Sequence, residues 1–237
     1  MKKASLLLIV LSLSLPIKAQ IHELGFFLGG SNTIADIGAT KPVFANSPAI
    51  GLVYKWNITT RYAIRTSFMN SNLKSYDFYA QDLSRFNRLV SIDNNVFEFS
   101  LGFEVNFLEF NLHDDDKELS PYIFAGVNYF HQELYKIAPR MGNSSMYDVS
   151  KYDGEFNFSI PIVIGIKASI SPLFIVGIET GIRYALSDNI DGSNPVGEFA
   201  NDPTLKHGNL YNNDWYVFTG LTFSYTFGQI PCYCKEK

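Results

Sequence analysis

Stretches of about ten residues that alternate strictly between apolar and polar or small side chains recur along this chain, and no other feature constrains its fold as much. The clearest stretch spans 96–107. Phe97, Phe99, Leu101, Phe103, Val105 and Phe107 share one face, while Glu98, Ser100, Gly102, Glu104 and Asn106 share the other. A period of two belongs to a strand. A soluble sandwich strand also alternates, but here the apolar face is unbroken over six positions, the reach of a tilted membrane strand. Beyond Gln20 no apolar run is long enough to cross a membrane as a helix. A closed barrel is then the remaining way to span one, because lipid cannot satisfy an open strand edge.

The pattern repeats over 156–167, 173–184 and 215–227, and more briefly over 23–30, 49–56, 61–69 and 122–131. The expected fold is therefore all-β: an eight-stranded, antiparallel, up-and-down transmembrane barrel, the smallest outer-membrane size. An even strand count puts both termini at one end. The connections at 57–60 and 168–172 are short, as turns on the periplasmic side are. Those near 31–48, 70–94, 132–154 and 185–213 are long and polar, and are expected outside. The connection over 108–120 departs from this rule. It is long and carries Asp114, Asp115, Asp116 and Glu118, which reads as a solvated acidic turn or a partner contact.

Assigning the apolar faces to lipid turns the other faces inward. These hold Glu23, Lys55, Arg65, Glu98, Glu104, Lys167, Glu179 and Arg183, four acids and four bases. An eight-stranded barrel is just wide enough for side chains to fill, and buried charges must pair. The expectation is a filled, charge-paired lumen with no open pore. Nine glycines, among them Gly29, Gly102, Gly165 and Gly220, fall on the same face and make room for long neighbours. Tyr54, Trp56, Tyr62, Phe68, Trp215 and Tyr225 fall near expected strand ends and suit interfacial girdles.

At the start of the chain, Lys2 and Lys3 precede an apolar or small-residue run over 4–15. Pro16 breaks that run, and Ile17-Lys18-Ala19 fits a small-residue cleavage site. A membrane span would need ~20 apolar residues. The expected organisation is a secretion signal over 1–19, the barrel over 20–228 and a periplasmic tail over 229–237. The protein would reside in a bacterial outer membrane, with both termini periplasmic and membrane lipid as its surroundings.

No chemistry-bearing constellation emerges. His22, His113, His131 and His207 lie far apart, and no G-x-S-x-G nucleophile motif occurs. The reading is of a non-enzymatic protein with no catalytic residues, metal or cofactor. A net charge of -4 gives no reason to expect nucleic acid. Two cysteines, Cys232 and Cys234, stand in the tail just past the last strand. A thiol left free in an oxidising periplasm is unusual, and a C-x-C bridge is geometrically awkward. A strained local disulfide, an unpaired thiol and a bridge to another protein all stay open.

Several segments together resemble a known family. They are GGSNTIADIG over 29–38, PAIGLVYKWNITTRYAIRTSF over 48–68, PYIFAGVNYF over 121–130, and DWYVFTGLTFSYTFG followed by Pro231-Cys232-Tyr233-Cys234. They are similar to the PorG-type outer-membrane barrel of the type IX secretion system of Bacteroidetes. The similarity runs over nearly the whole mature chain and is weakest over 70–94 and 132–154. The resemblance implies a non-enzymatic barrel that anchors the periplasmic PorK–PorN ring to the outer membrane, in a machine that exports proteins with C-terminal sorting domains and in some species supports gliding. It makes Cys232 and Cys234 the candidates for a covalent link to a ring subunit. The alternative is a generic OmpA-like or ligand-binding barrel that acts through its outer loops.

Overall fold

A computed structural model describes residues 21–111, 117–140 and 143–228. The expected secretion signal, Asp114 to Asp116, and the tail with Cys232 and Cys234 lie outside the described residues.

Eight strands form one closed barrel: β1 (Ile21–Ile34), β2 (Ser47–Asn57), β3 (Tyr62–Tyr76), β4 (Ser91–Asn106), β5 (Leu119–Arg140), β6 (Asn143–Ser171), β7 (Phe174–Ala185) and β8 (Trp215–Gly228). Each pairs antiparallel with its neighbour in sequence, and β1 pairs with β8 to close the ring. The fold is thus the up-and-down barrel read from the alternation. One end, here the terminal end, holds Ile21, Gly228 and the turns after β2, β4 and β6. The far end holds the other connections.

The two faces of the wall differ as period two requires. Along β4, Phe97, Leu101 and Phe103 are exposed, while Glu98, Ser100 and Glu104 between them are buried. The same outward row continues through Leu24, Phe26 and Leu28 on β1, Ile162, Ile164 and Ile166 on β6, and Leu221 and Phe223 on β8. A contiguous apolar exterior of this extent is unusual for a surface in water and matches a lipid-facing belt. At its terminal end His22 stacks between Tyr54 and Phe227, with ring centroids 5.9 and 5.5 Å away. At its far end Tyr184 packs on Trp215 at 4.7 Å. Phe68 departs from the expected girdle. Strand β3 runs on to Tyr76, so Phe68 sits mid-strand against Phe99 at 4.9 Å.

Glycines let the inner wall close. Gly102 and Gly126 face each other across β4 and β5. A Cβ on Gly102 would stand 2.2 Å from the Ala125 carbonyl oxygen, which is backbone and cannot swing away. The substitution Gly102→Ala is expected to cost about 1–3 kcal/mol, as overpacking does. A urea midpoint of the refolded barrel equal to wild type would contradict that. Gly29 and Gly220 are likewise partners, and the Phe27 ring lies across both.

The largest departure from the sequence reading is the β5–β6 hairpin. Residues 132–140 and 143–154, within a segment expected as a loop, continue the strands and project past the barrel. Register shifts at Leu134/Tyr135 and Pro139/Arg140 break the period-two pattern. Buried Leu134 and Ile137 still point inward, and Ile137 packs on Ile37, Val90 and Ile92. The hairpin therefore has its own apolar core beyond the belt. That core joins it to a cap made of residues 35–46, 77–90 and 186–214. Within the cap, helix α1 (Leu83–Arg88) begins where Asp82 accepts from the Ser84 and Arg85 amides and ends at Leu89 in the left-handed region. Its Arg85 donates to the Ala35 and Gly38 carbonyls at 2.7 and 3.2 Å. Arg88 grips Asp77 at 2.6 and 2.9 Å.

Candidate functional site

The eight inward charges stand on neighbouring register positions. Glu23, Lys55 and Arg65 are successive cross-strand partners on β1, β2 and β3. All eight are at most 3% exposed, and they gather into two layers.

The layer nearer the terminal end centres on Glu104. It accepts from Lys55 and Lys167, each at 2.8 Å, and from Arg65 at 3.4 Å. Arg65 also forks onto both oxygens of Glu179, at 2.8 and 2.7 Å, and the Tyr122 hydroxyl donates to the same carboxylate. Glu23 accepts from Asn57 at 2.8 Å and lies 4.0 Å from Lys55. Aromatic faces line the cations. Tyr122 lies 4.9 Å from Lys55, Phe124 lies 5.0 Å from Arg65, and Phe110 lies 4.9 Å from Lys167. Each contact favours a desolvated cation.

The second layer centres on Glu98. It accepts from Arg183 at 3.2 Å, from the Tyr216 hydroxyl at 2.8 Å and from Asn128 at 3.1 Å. Phe218 lies 4.4 Å from the Arg183 guanidinium. Buried Phe27, Val53, Met69 and Phe130 pack into the same inner core. Ions and rings thus fill the barrel interior. Tyr122, Tyr216 and Asn128 complete this network but went unread in the sequence. Their positions on inward faces were the available signal, but alternation alone does not say which uncharged polar side chain meets an ion.

The terminal rim is the second candidate surface. Arg61 and Glu109 pair at 3.2 Å, both exposed. Around them Ile58, Leu108, Leu119, Ile170 and Leu173 are exposed. Of the acidic turn, Glu118 is described. Its carboxylate accepts from the Asn111 amide, and its own amide donates to Ser169 at 2.8 Å. It therefore helps fold the turn. Strand β8 ends at this rim, at Gly228.

The histidines do not converge. His22 bonds Tyr54 at 2.8 Å, His131 packs edge-on to Phe156, and His207 reaches the Ile137 carbonyl at 3.1 Å. His113 lies outside the described residues. Among the described residues no three acids, histidines or cysteines gather where they could hold a metal ion.

A family model described as "Domain of unknown function (DUF6089)" matches residues 2–236. The chain belongs to the DUF6089 family. No curated protein matches this DUF6089 chain. Among solved structures it is similar to Ail, the attachment invasion locus protein of Yersinia pestis, solved with the heparin analogue sucrose octasulfate. The identity is 10% and the TM-score 0.46, over 88% of this chain and 99% of that one. It is also similar to Neisserial surface protein A, at 8% identity and a TM-score of 0.47, over 88% and 97% of the two chains. For the N-terminal β-barrel domain of Pseudomonas aeruginosa OprF the values are 14% and 0.42, over 88% and 97%.

Proposed function

We propose that this DUF6089 protein is a non-enzymatic outer-membrane barrel of a type IX secretion machine, and that it anchors a PorK–PorN-like periplasmic ring through its terminal end. The observation that carries the reading is the filled lumen. Two layers of paired ions occupy the interior, so transport through the barrel is closed off and the work falls to its rims. Of the segments similar to the PorG-type barrel, Pro231-Cys232-Tyr233-Cys234 follows β8, which ends at the terminal rim. In this reading both termini are periplasmic, the signal over 1–19 is removed, and the tail over 229–237 meets the ring. Glu118 stands in the connection between β4 and β5 at the same end, the acidic turn with Asp114, Asp115 and Asp116 would offer a second contact there, and Cys232 or Cys234 would bridge to a ring subunit.

The experiment is co-purification from native membranes. Ring proteins are expected to come down with the full-length barrel, partly as a thiol-sensitive high-mass band on non-reducing gels. That band should vanish in a Cys232→Ala, Cys234→Ala double variant. Intact export of sorting-domain proteins in a deletion strain would overturn the reading.

A second reading is an OmpA-like barrel that acts through its outer loops. The far-end cap favours it, because 35–46, 77–90 and 186–214 are folded rather than slack connections. Secretion that persists in the deletion strain, with loss of a surface-binding phenotype, would select this alternative.

A further inference from the structure

The far-end cap is pinned by carboxyl groups that reach between its segments. Asp191 accepts from the Ile37 amide at 2.7 Å, joining 186–214 to 35–46. Asp36 accepts from the Asn209 amide at 2.9 Å in the reverse direction. Asp77 accepts from Gly38 at 2.9 Å, and Asp214 from Ile190 at 2.8 Å. Asp36, Asp77, Asp191 and Asp214 are buried and Asp188 is half-buried.

The counter-charges are too few. Arg88 holds Asp77 and stands within electrostatic range of Asp191 and Tyr147, and Arg85 lies 3.7 Å from Asp36. Asp188, Asp191 and Asp214 have no ion-pair partner among the described residues. The hairpin side contributes Tyr135, Tyr147 and Tyr152, and His207 faces Tyr147 edge-on at 5.3 Å. His207 is turned to the Ile137 carbonyl rather than to the acids. Buried oxygens of Asp188 and Asn189 also lack a hydrogen-bond partner. Ionised, this cluster would bury unmatched negative charge, which costs several kcal/mol per ion. A metal could balance it, but no three of these acids converge at metal-binding distance among the described residues. A proton is the smaller solution.

We propose that the far-end cap is a proton-operated clasp, held shut by uncharged Asp188 and Asp214 and loosened when they ionise. Burial, with Asp191 and Asp36 nearby, lifts Asp188 to about 6. Burial likewise raises Asp191, and burial together with Asp191 and Asp188 raises Asp214. Each acid is thus easier to ionise in the open cap than in the closed one. The stabilisation is complete below the ordinary carboxyl value and is lost as pH rises through the raised values. The cap is tightest in acid.

Hydrogen-exchange protection of 186–214, corrected for intrinsic rates and referenced to β7, tests this on the full refolded barrel. Between pH 3.5 and 7.5 it should fall roughly a hundredfold, the span set by one carboxyl moving from 3.8 to about 6. An Asp188→Asn, Asp214→Asn variant should keep its protection at pH 7.5. Asp188→Asn alone, at the half-buried position, should flatten the profile in part if the double variant does not refold. Equal protection at both pH values, or wild-type pH dependence in the variants, would overturn the clasp. So would protection restored at pH 7.5 by millimolar calcium, which would make the balancing charge a metal. None of these outcomes depends on the secretion reading.

Discussion

Replacing Glu104 by Gln is expected to destabilise the folded barrel by about 3–5 kcal/mol, the scale for removing one partner of a buried ion network. The geometry makes Glu104 the costliest single choice. Its carboxylate serves Lys55, Lys167 and Arg65 at once. Without that charge, three buried cations face one another, with Glu179 tied to Arg65 and Glu23 4.0 Å from Lys55. The isosteric amide keeps the volume, so the loss reports charge rather than packing. Urea unfolding of the barrel refolded in liposomes reads it directly. A loss under about 1 kcal/mol, the scale of an exposed pair, would mean that water enters the lumen. Replacing the whole layer by apolar residues of matching volume should cost far less, because paired burial contributes little net stability.

Leu101→Arg should cost about 2–4 kcal/mol, the penalty for a cation at the midplane of a membrane barrel's lipid face. Leu101 points outward from the middle of the wall, between Thr66 and Val127, and is 52% exposed. In a water-soluble barrel an exposed position of this kind would change stability by no more than about 0.5 kcal/mol. Leu119 is exposed to a similar degree but stands at the terminal rim. Arg there should cost only about 0–1 kcal/mol. The contrast between the two sites, measured in one bilayer, maps the belt. Equal small effects at both would place the wall in water.

The barrel was legible because its wall obeys one rule. Phe97 to Phe107 and Phe156 to Ile166 alternate without interruption, so strand, face and lumen charge follow together from residue order. Arg65 and Glu179 could be placed on the inner face that way. Their bidentate contact could not, since it depends on how the ring closes. The hairpin over 132–154 was missed because register shifts interrupt its alternation and its faces no longer separate lipid from lumen. The cap acids were missed for another reason. Asp36, Asp188, Asp191 and Asp214 sit in polar, aperiodic segments. There a buried carboxyl and a solvated one look alike until the segments fold onto each other.

Arg65 on β3 finds its main partner 114 residues later, on β7. Glu104 on β4 meets Lys55 and Arg65 early, but Glu98 waits 85 residues for Arg183 and 118 for Tyr216. Pairing so distant in sequence makes early closure unprofitable. A nascent sheet that entered the bilayer hairpin by hairpin would carry Glu98 across it without Arg183 until β7 arrived. Such a lumen favours a single late event, in which insertion, ring closure and neutralisation coincide. A chain truncated before β7 should stall as a water-exposed intermediate instead of forming a smaller pore.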